Sequence, residues 1–361
     1  MFFLNKKHQK VFVALSGGVD SSVAALLLKR AGYQVFGGFI RGYNLDGCQD
    51  KEAYDARLVA EKLGIPFYVF DFEKEYKERV VNYILEGYRK GITPNPDVVC
   101  NSQIKFGLFY NQAKAMGADF VASGHYAILK RNFFTRKVSL FQAKDKNKDQ
   151  TYFLWQVPYE RFKQLIFPIG SFKKEEVRRL AKKFDLPTAE KKDSQGICFL
   201  GKFKFSDFLK QHLGEKEGEI IDVYGKKVGV HRGVWFYTLG QKHGFINTAG
   251  REFYVIDKDL QNNVLIVAYK ENKEVYCQSF KVTDLNFLDD EISKAFKNKK
   301  EIKVWVRVRY RQPLLEAKIS PLDFSLALVT TKEPQMLFPA SGQSAVFYSK
   351  KGQVLGGGVI V

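Results

Sequence analysis

Residues 14–22 read Ala-Leu-Ser-Gly-Gly-Val-Asp-Ser-Ser, between an apolar run, Val11 to Leu15, and a helical run, Val23 to Leu28. The order is strand, glycine turn, helix N-terminus. Such a turn aims backbone N–H groups and the positive end of a helix at a phosphate. Gly17 and Gly18 let the backbone approach an anion with no Cβ in the way. Ser16, Ser21 and Ser22 add hydroxyl donors. Asp20 is out of place in an anion site unless a cation accompanies the anion, as Mg²⁺ accompanies a nucleotide, or an ordered turn offsets it. No Gly-Lys-Ser/Thr follows, and the three-glycine spacing of a dinucleotide fold is absent, which excludes those two phosphate loops.

Two further stretches hold thiols in polar company. Residues 93–101 read Thr-Pro-Asn-Pro-Asp-Val-Val-Cys-Asn. The prolines enforce a rigid, non-helical approach to Cys100. Asn101 and Ser102 are candidate caps for a following helix, which would leave Cys100 at a helix N-terminus, where a thiolate is favoured. Asp97, three residues earlier, is a candidate proton acceptor. Residues 193–200 read Asp-Ser-Gln-Gly-Ile-Cys-Phe-Leu, with Lys191 and Lys192 upstream to favour the thiolate of Cys198. Read alone, each motif fits a small core cysteine as well as a reactive one. Cys48 lies in a turn, and Cys277 alternates with Val275 as a core strand residue does. The four cysteines form no Cys-x-x-Cys pair, so no zinc or iron–sulfur ligand set is expected.

The elements that must position these groups change in texture along the chain. Strand candidates at Lys10–Leu15, Val35–Ile40, Phe67–Phe70 and Asp119–Ala122 alternate with helices, including a face of Ala53, Ala56, Ala60 and Leu63 stopped by Gly64 and a helix from Ser102 to Met116. That pattern predicts an α/β domain with a doubly wound parallel sheet, and ligands in such sheets bind at the carboxyl ends of the strands. A helix over Glu175–Phe184 carries Val177, Leu180, Ala181 and Phe184 on one face and Lys and Arg on the other. After about residue 205, short alternating stretches predict a small β-rich module to residue 277, then a C-terminal β-barrel over 278–361. Within the latter, Ile302–Gln312 alternates apolar residues with Lys303, Trp305, Arg307, Arg309 and Arg311. A strand would put those cations on one face, fit for phosphates and base stacking. The formal charge of the 361 residues is +19, from 58 Lys and Arg against 39 Asp and Glu, and nucleic acid is the partner that fits it best. No apolar run approaches membrane-spanning length, and Met1 to Lys10 has no signal-peptide core, so no membrane partner and a cytoplasmic location are expected.

The loop Ser-Gly-Gly-Val-Asp-Ser-Ser resembles the PP-loop of ATP pyrophosphatases. Together with Thr-Pro-Asn-Pro-Asp-x-x-Cys-Asn, Ser-Gly-His-Tyr-Ala, Lys-Asp-Gln-Thr-Tyr-Phe-Leu and Asp-Ser-Gln-Gly-Ile-Cys-Phe, it resembles the tRNA-specific 2-thiouridylase family in order as well as content. Tyr-Thr-Leu-Gly-Gln, Arg-Tyr-Arg-Gln and Pro-Ala-Ser-Gly-Gln-Ser-Ala-Val-Phe-Tyr extend the likeness almost to the end of the chain. The resemblance implies ATP, with Mg²⁺, at Ala14, Leu15, Ser16, Gly17, Gly18, Val19, Asp20 and Ser21, with Ile40 and Gly124 beside the nucleotide. It implies adenylation of a wobble uridine and sulfur delivery from a persulfide on Cys198. Cys100 then either releases sulfide from the persulfide or resolves it after transfer, ending in a Cys100–Cys198 disulfide, with Asp97 as acid/base. It implies target-base contacts at Asn95, Pro96 and Asp97, and tRNA contacts at His125, Lys148, Asp149, Gln150, Arg309, Tyr310, Arg311 and Gln343. The partners implied are the tRNAs for Lys, Glu and Gln and a cysteine desulfurase or sulfur-relay protein. The stretch near Phe245–Gly250 is poorer in glycine than is usual there, which predicts a reduced loop toward tRNA. A small-metabolite synthetase would share the first loop but not the two cysteine motifs, and a non-catalytic tRNA binder would need neither.

Overall fold

The computed structural model describes residues 6–43, 47–192, 205–242, 246–247, 252–335 and 339–361. Two compact units emerge: residues 1–80, 96–202 and 351–355 form one, and residues 81–95, 203–350 and 356–361 the other. No helix among the described residues is long and apolar enough to cross a membrane.

The strands of the first unit are β1 (Lys10–Ala14), β2 (Gln34–Arg41), β3 (Phe67–Asp71), β4 (Phe120–Ser123), β5 (Ala127–Arg131), β6 (Val138–Gln142) and β7 (Leu165–Ile166). Five of them form a parallel sheet in the order β3-β2-β1-β4-β7. A sheet covered on both faces needs strands that are apolar throughout, and β1 is buried from Val11 onward. The chain winds outward from β1 through β2 to β3, then returns to the other side of β1 with β4. The winding therefore reverses between β1 and β4, whose carboxyl ends Ala14 and Ser123 are register partners. A crevice at such a reversal is where α/β sheets bind ligands. Helix α1 (Val19–Arg30) lays Val19, Val23 and Ala24 on the sheet, and the helix Lys174–Lys183 adds Val177 and Ala181 to the same core. Helix α2 (Cys48–Leu63) buries Ala56, Val59, Ala60 and Leu63 there and stops at Gly64, which takes a left-handed φ of 56°.

Strands β5 and β6 make a separate hairpin. Asp149 holds its base. The carboxylate is buried and accepts from the Ala143 N–H at 3.1 Å, the Gln142 Nε2 at 3.1 Å and the Thr151 hydroxyl at 3.0 Å. Gln150 accepts from the Tyr126 N–H at 3.0 Å and so ties the same turn to the strand end after β4.

The second unit contains β8 (Gly218–Asp222), β9 (Lys227–His231), β10 (Ile246–Asn247), β11 (Tyr254–Asp259) and β12 (Val264–Ala268), ordered β10-β9-β8-β12-β11 around Ile220, Val228, Phe253, Val255, Leu265 and Val267. The strands β13 (Cys277–Phe287), β14 (Ile302–Arg307), β15 (Leu315–Pro321), β16 (Ala327–Gln335), β17 (Ser344–Tyr348) and β18 (Val354–Ile360) close a barrel in the order β13-β16-β15-β14-β17-β18. The expected α/β sheet followed by β-rich module and barrel is the observed architecture.

Three local expectations need correction. Strand β14 ends at Arg307 rather than running through Arg311. The Val308 and Arg309 N–H groups both bond the Gln312 Oε1, at 3.2 and 3.1 Å, so a side chain takes the place of a neighbouring strand. Arg311 then turns the chain at φ 64°. Lys303 and Arg307 therefore keep to one face of β14 while Arg309 and Arg311 lie beyond its end, and the four do not form one exposed row: Lys303 and Arg311 are exposed, Arg309 is half-buried, and Arg307 is buried with its guanidinium 5.4 Å from the Tyr348 ring. The helix expected from Ser102 starts at Pro96 instead and continues through wide π-turns over Cys100–Phe109 into Tyr110–Ala115. Proline at the first helical position loses no hydrogen bond, because that N–H has no intrahelical acceptor in any case. Cys277 is half-buried at the start of β13, its Sγ directed at the Ser279 carbonyl, and burial raises its pKa.

Replacing Asp149 by Ala strands the Ala143 and Thr151 donors in a buried site. Loss of about 2–3 kcal/mol is expected from such orphaned, charge-assisted bonds, read as a lower denaturant midpoint with an unchanged slope.

Candidate active site

The turn after β1 is the candidate phosphate cradle. Gly17 takes φ 67°, and a Cβ there would run into the Glu52 carbonyl of α2. The Ser21 hydroxyl donates to the Gly18 carbonyl at 3.1 Å and accepts from the Ser16 N–H at 3.2 Å, and the Ser22 hydroxyl donates to the Gly18 carbonyl at 2.8 Å. These bonds shape the turn that opens α1, whose first N–H groups have no intrahelical acceptors. Ser16 is exposed and Gly18 half-buried, so the turn has a solvent-facing side. Gly124, just past β4, lies against it: a Cβ on Gly124 would sit 2.6 Å from the Ser21 nitrogen.

The charge on Asp20 is answered inside the protein. The Lys174 Nζ bonds both carboxylate oxygens, at 2.7 and 2.8 Å, and the buried Tyr126 hydroxyl donates to the first at 2.9 Å. Packing of the helix Lys174–Lys183 on α1 through Val177 and Ala181 delivers that ammonium. Lys191 supplies a second cation. Its Nζ donates to the Gly17 carbonyl at 2.9 Å and pairs with Asp55 at 2.6 Å. Lys191, expected to favour the Cys198 thiolate, thus reaches the turn after β1. Cys198 itself lies outside the described residues, as does the stretch over Phe245.

Asp97 and Cys100 stand three positions apart in the helical run from Pro96, which puts them on one face. Cys100 is buried at 1% exposure and Asp97 is half-buried. Cys100 therefore lies one turn inside the helix rather than ahead of it. Asn101 and Ser102 do not cap; their side chains bond back to the carbonyls of Asp97, at 2.9 Å, and Val99, at 3.2 Å.

Comparison with known proteins decides the family. Residues 9–202 match a model described as a tRNA methyl transferase HUP domain, residues 206–269 a tRNA methyl transferase PRC-barrel domain, and residues 277–360 an aminomethyltransferase beta-barrel domain. The chain is 43% identical to the tRNA-specific 2-thiouridylase MnmA of Legionella pneumophila (strain Paris), over 97% of this chain and 98% of that protein. It is 42% identical to the protein of that name from Pseudoalteromonas translucida, over 98% and 97% of the two chains. The chain belongs to the tRNA-specific 2-thiouridylase family. In this family member Ile40 is buried near the carboxyl end of β2, the strand that flanks β1 on the side away from β4. His125 is also buried: its ring lies 5.6 Å from that of Phe106 and 5.9 Å from that of Phe167, and its Nδ1 is 2.8 Å from the Ser123 hydroxyl. Burial, and then the nearby Lys105, hold its pKa well below 6.5, so the imidazole is neutral at pH 7. Of the Lys148–Gln150 segment, Lys148 is half-buried, while Asp149 and Gln150 make the internal bonds described above.

In the second unit, the segment leading to Pro96 is held at successive residues. The Lys258 Nζ donates to the Gly91 carbonyl and, at 3.1 Å, to that of Tyr237. Burial lowers the pKa of this lysine to about 8. The Thr93 N–H donates to the Ser341 carbonyl at 2.8 Å, and the Thr93 hydroxyl meets that of Thr238 at 3.2 Å. The Gln343 Nε2 donates to the carbonyls of Thr93, at 2.9 Å, and Pro94, at 3.1 Å, and the Asn95 amide to the Ser344 hydroxyl at 3.3 Å. Gln343 and Asn95, distant in sequence, thus share one cluster. Arg309 donates to the Leu239 carbonyl at 2.8 Å, and the exposed Arg311 lies over the Tyr310 ring at 5.1 Å.

Sequence reasoning missed Lys174, Tyr126 and Lys191 as parts of the cradle. One signal was available: Lys174 opens a helix, where a cation opposes the helix dipole and calls for a carboxylate nearby. Lys174→Met should weaken pyrophosphate binding in calorimetry by roughly ten- to a hundred-fold, the equivalent of about 1.5–3 kcal/mol for a charged hydrogen bond. Adding Asp20→Asn to that variant should recover part of the loss, because the unpaired carboxylate that repels the anion is gone.

Proposed function

We propose that this chain replaces the 2-oxygen of a wobble uridine in tRNA with sulfur, using ATP. The observation that carries the reading is the intact phosphate turn, with its Asp20–Lys174 pair, in a chain that spans its 2-thiouridylase relatives nearly end to end. The uridine O2 attacks the α-phosphorus of ATP, and pyrophosphate leaves. The N–H groups of α1, Lys174 and Lys191 hold the charge of the departing phosphates. Mg²⁺ fits here as an ion carried by the nucleotide, beside the Asp20 carboxylate at the start of α1. When bound it would offset phosphate charge beside Asp20.

Sulfur comes from a Cys198 persulfide loaded by a cysteine desulfurase or relay protein. Its terminal sulfur attacks C2, and AMP departs with the former O2. The Cys100 thiolate, helped by Asp97 as proton acceptor, attacks the Cys198 Sγ. The S–S bond to the transferred sulfur breaks, a Cys100–Cys198 disulfide forms, and the thiocarbonyl is released. A cytoplasmic thiol reductant returns both cysteines. Cys100 is buried, so its thiol must be uncovered before it can react. Asn95 to Asp97 hold the target base, and the substrates are the tRNAs for Lys, Glu and Gln.

Incubation of unmodified tRNA transcript with the protein, ATP, Mg²⁺, cysteine and a desulfurase should give 2-thiouridine by nucleoside mass spectrometry. Cys198→Ser should release pyrophosphate yet form no 2-thiouridine. Cys100→Ser should load persulfide and expel AMP, but stop at the tRNA adduct held by disulfide to Cys198, releasing no free 2-thiouridine. Normal thiolation by both variants would defeat the two-thiol mechanism, and absence of 2-thiouridine with the unaltered protein would defeat the assignment.

A further inference from the structure

The hairpin of β5 and β6 carries a surface that no step above uses. Its tip reads Asn132-Phe133-Phe134-Thr135-Arg136-Lys137. Phe133 and Phe134 are 78% and 92% exposed, a costly arrangement for two adjacent rings in water. The tip is nevertheless a built turn. The Asn132 N–H bonds the Lys137 carbonyl at 2.9 Å, and the Asn132 Oδ1 accepts from the N–H groups of Phe134 and Thr135 at 2.9 and 3.0 Å. Arg136 takes a left-handed φ of 53° to complete it. The two rings stand nearly perpendicular, at 83° with centroids 5.9 Å apart, which leaves a ring face open to a flat partner.

The surroundings are cationic. Lys130, Arg131, Arg136 and Lys137 flank the rings, and no acidic residue occurs between Asp119 and Asp145. Arg131 is anchored inward on the Leu165 carbonyl at 2.6 Å, and Lys130 lies over the Phe141 ring at 4.2 Å, so both stiffen the hairpin while keeping its positive charge. Arg136 is exposed at the tip beside the rings. Open aromatic faces among fixed cations match an unpaired base and its phosphates: the ring stacks, and the cations neutralise. Two rings are too small an apolar area for a stable protein interface.

We infer that the β5–β6 hairpin is a second RNA-binding element, in which Phe133 or Phe134 stacks on an unpaired base and Arg136 meets the adjoining phosphate. The inference rests on the tRNA-thiolating reading above and adds a contact away from the phosphate turn. Phe133→Ala/Phe134→Ala should raise the Kd for an unmodified tRNA transcript roughly 5- to 150-fold, the range for one stacked base. Its salt slope, its turnover at saturating tRNA and its melting temperature should match the parent. Arg136→Asn, which suits the left-handed backbone, should lower the salt slope by about one unit. Phe134→Trp should keep the affinity, and its indole fluorescence should be quenched by the transcript. Unchanged affinity in the double variant, or an unquenched indole, would overturn the inference while leaving thiolation intact. Loss of binding to phosphatidylserine vesicles with tRNA affinity retained would also overturn it, assigning the tip to a membrane surface. If the unaltered protein neither binds nor thiolates tRNA, the functional reading falls and this inference falls with it.

Discussion

The bidentate pair between Lys174 and Asp20 is the constraint around which the candidate phosphate site is arranged. A carboxylate at the mouth of an anion site repels what the site is built to hold. Here the carboxylate is neutralised from a helix that begins some 150 residues later in the chain, and the Tyr126 hydroxyl after β4 aligns it from the other side. Three segments therefore meet at one oxygen pair: the turn after β1, the strand end after β4, and the helix Lys174–Lys183. Their meeting depends on the winding reversal between β1 and β4 and on the shared core of Val23, Ala24, Val177 and Ala181. Charge and packing support each other, since the helix can deliver its lysine only if its apolar face is seated on α1.

A second arrangement concerns the approach to Pro96. The segment Gly91–Asn95 belongs by its contacts to the second unit, although its sequence lies inside the first. Lys258, Thr238, Ser341, Gln343 and Ser344 hold it through backbone carbonyls, an N–H and side chains. Extended, proline-rich backbone has few hydrogen-bond partners of its own, so buried carbonyls there need donors from elsewhere. Gln343 supplies two such bonds. The chain leaves this cluster at Asn95 and enters the helical run that carries Asp97 and Cys100.

Much of the architecture was legible because its signals are local. Apolar runs marked β1 to β4, glycine marked the phosphate turn and the end of α2, and period-2 alternation marked the barrel strands. The misreadings came where one side chain overrode the local pattern. Gln312 replaced a strand neighbour for Val308 and Arg309 and so ended β14 early. Pro96 opened a helix that the surrounding prolines were expected to prevent. The short β5 and the acid-free hairpin tip carried no strong periodicity, and their exposure is a property of the folded surface.

The sequence by itself determined the chemistry on offer: a candidate phosphate turn, thiols in two polar motifs, a strongly basic chain and the family to which it belongs. These follow from residue types over a few positions, where covalent order alone sets spacing. Only the tertiary structure decided which charges meet. It paired Asp20 with Lys174, drew Lys191 to Gly17 and Asp55, buried His125 and Arg307, and left Phe133 and Phe134 in solvent. The reason is physical: a long side chain reaches a partner only after packing has brought the two backbones together. Burial likewise depends on what covers a residue, which neighbours in sequence do not specify.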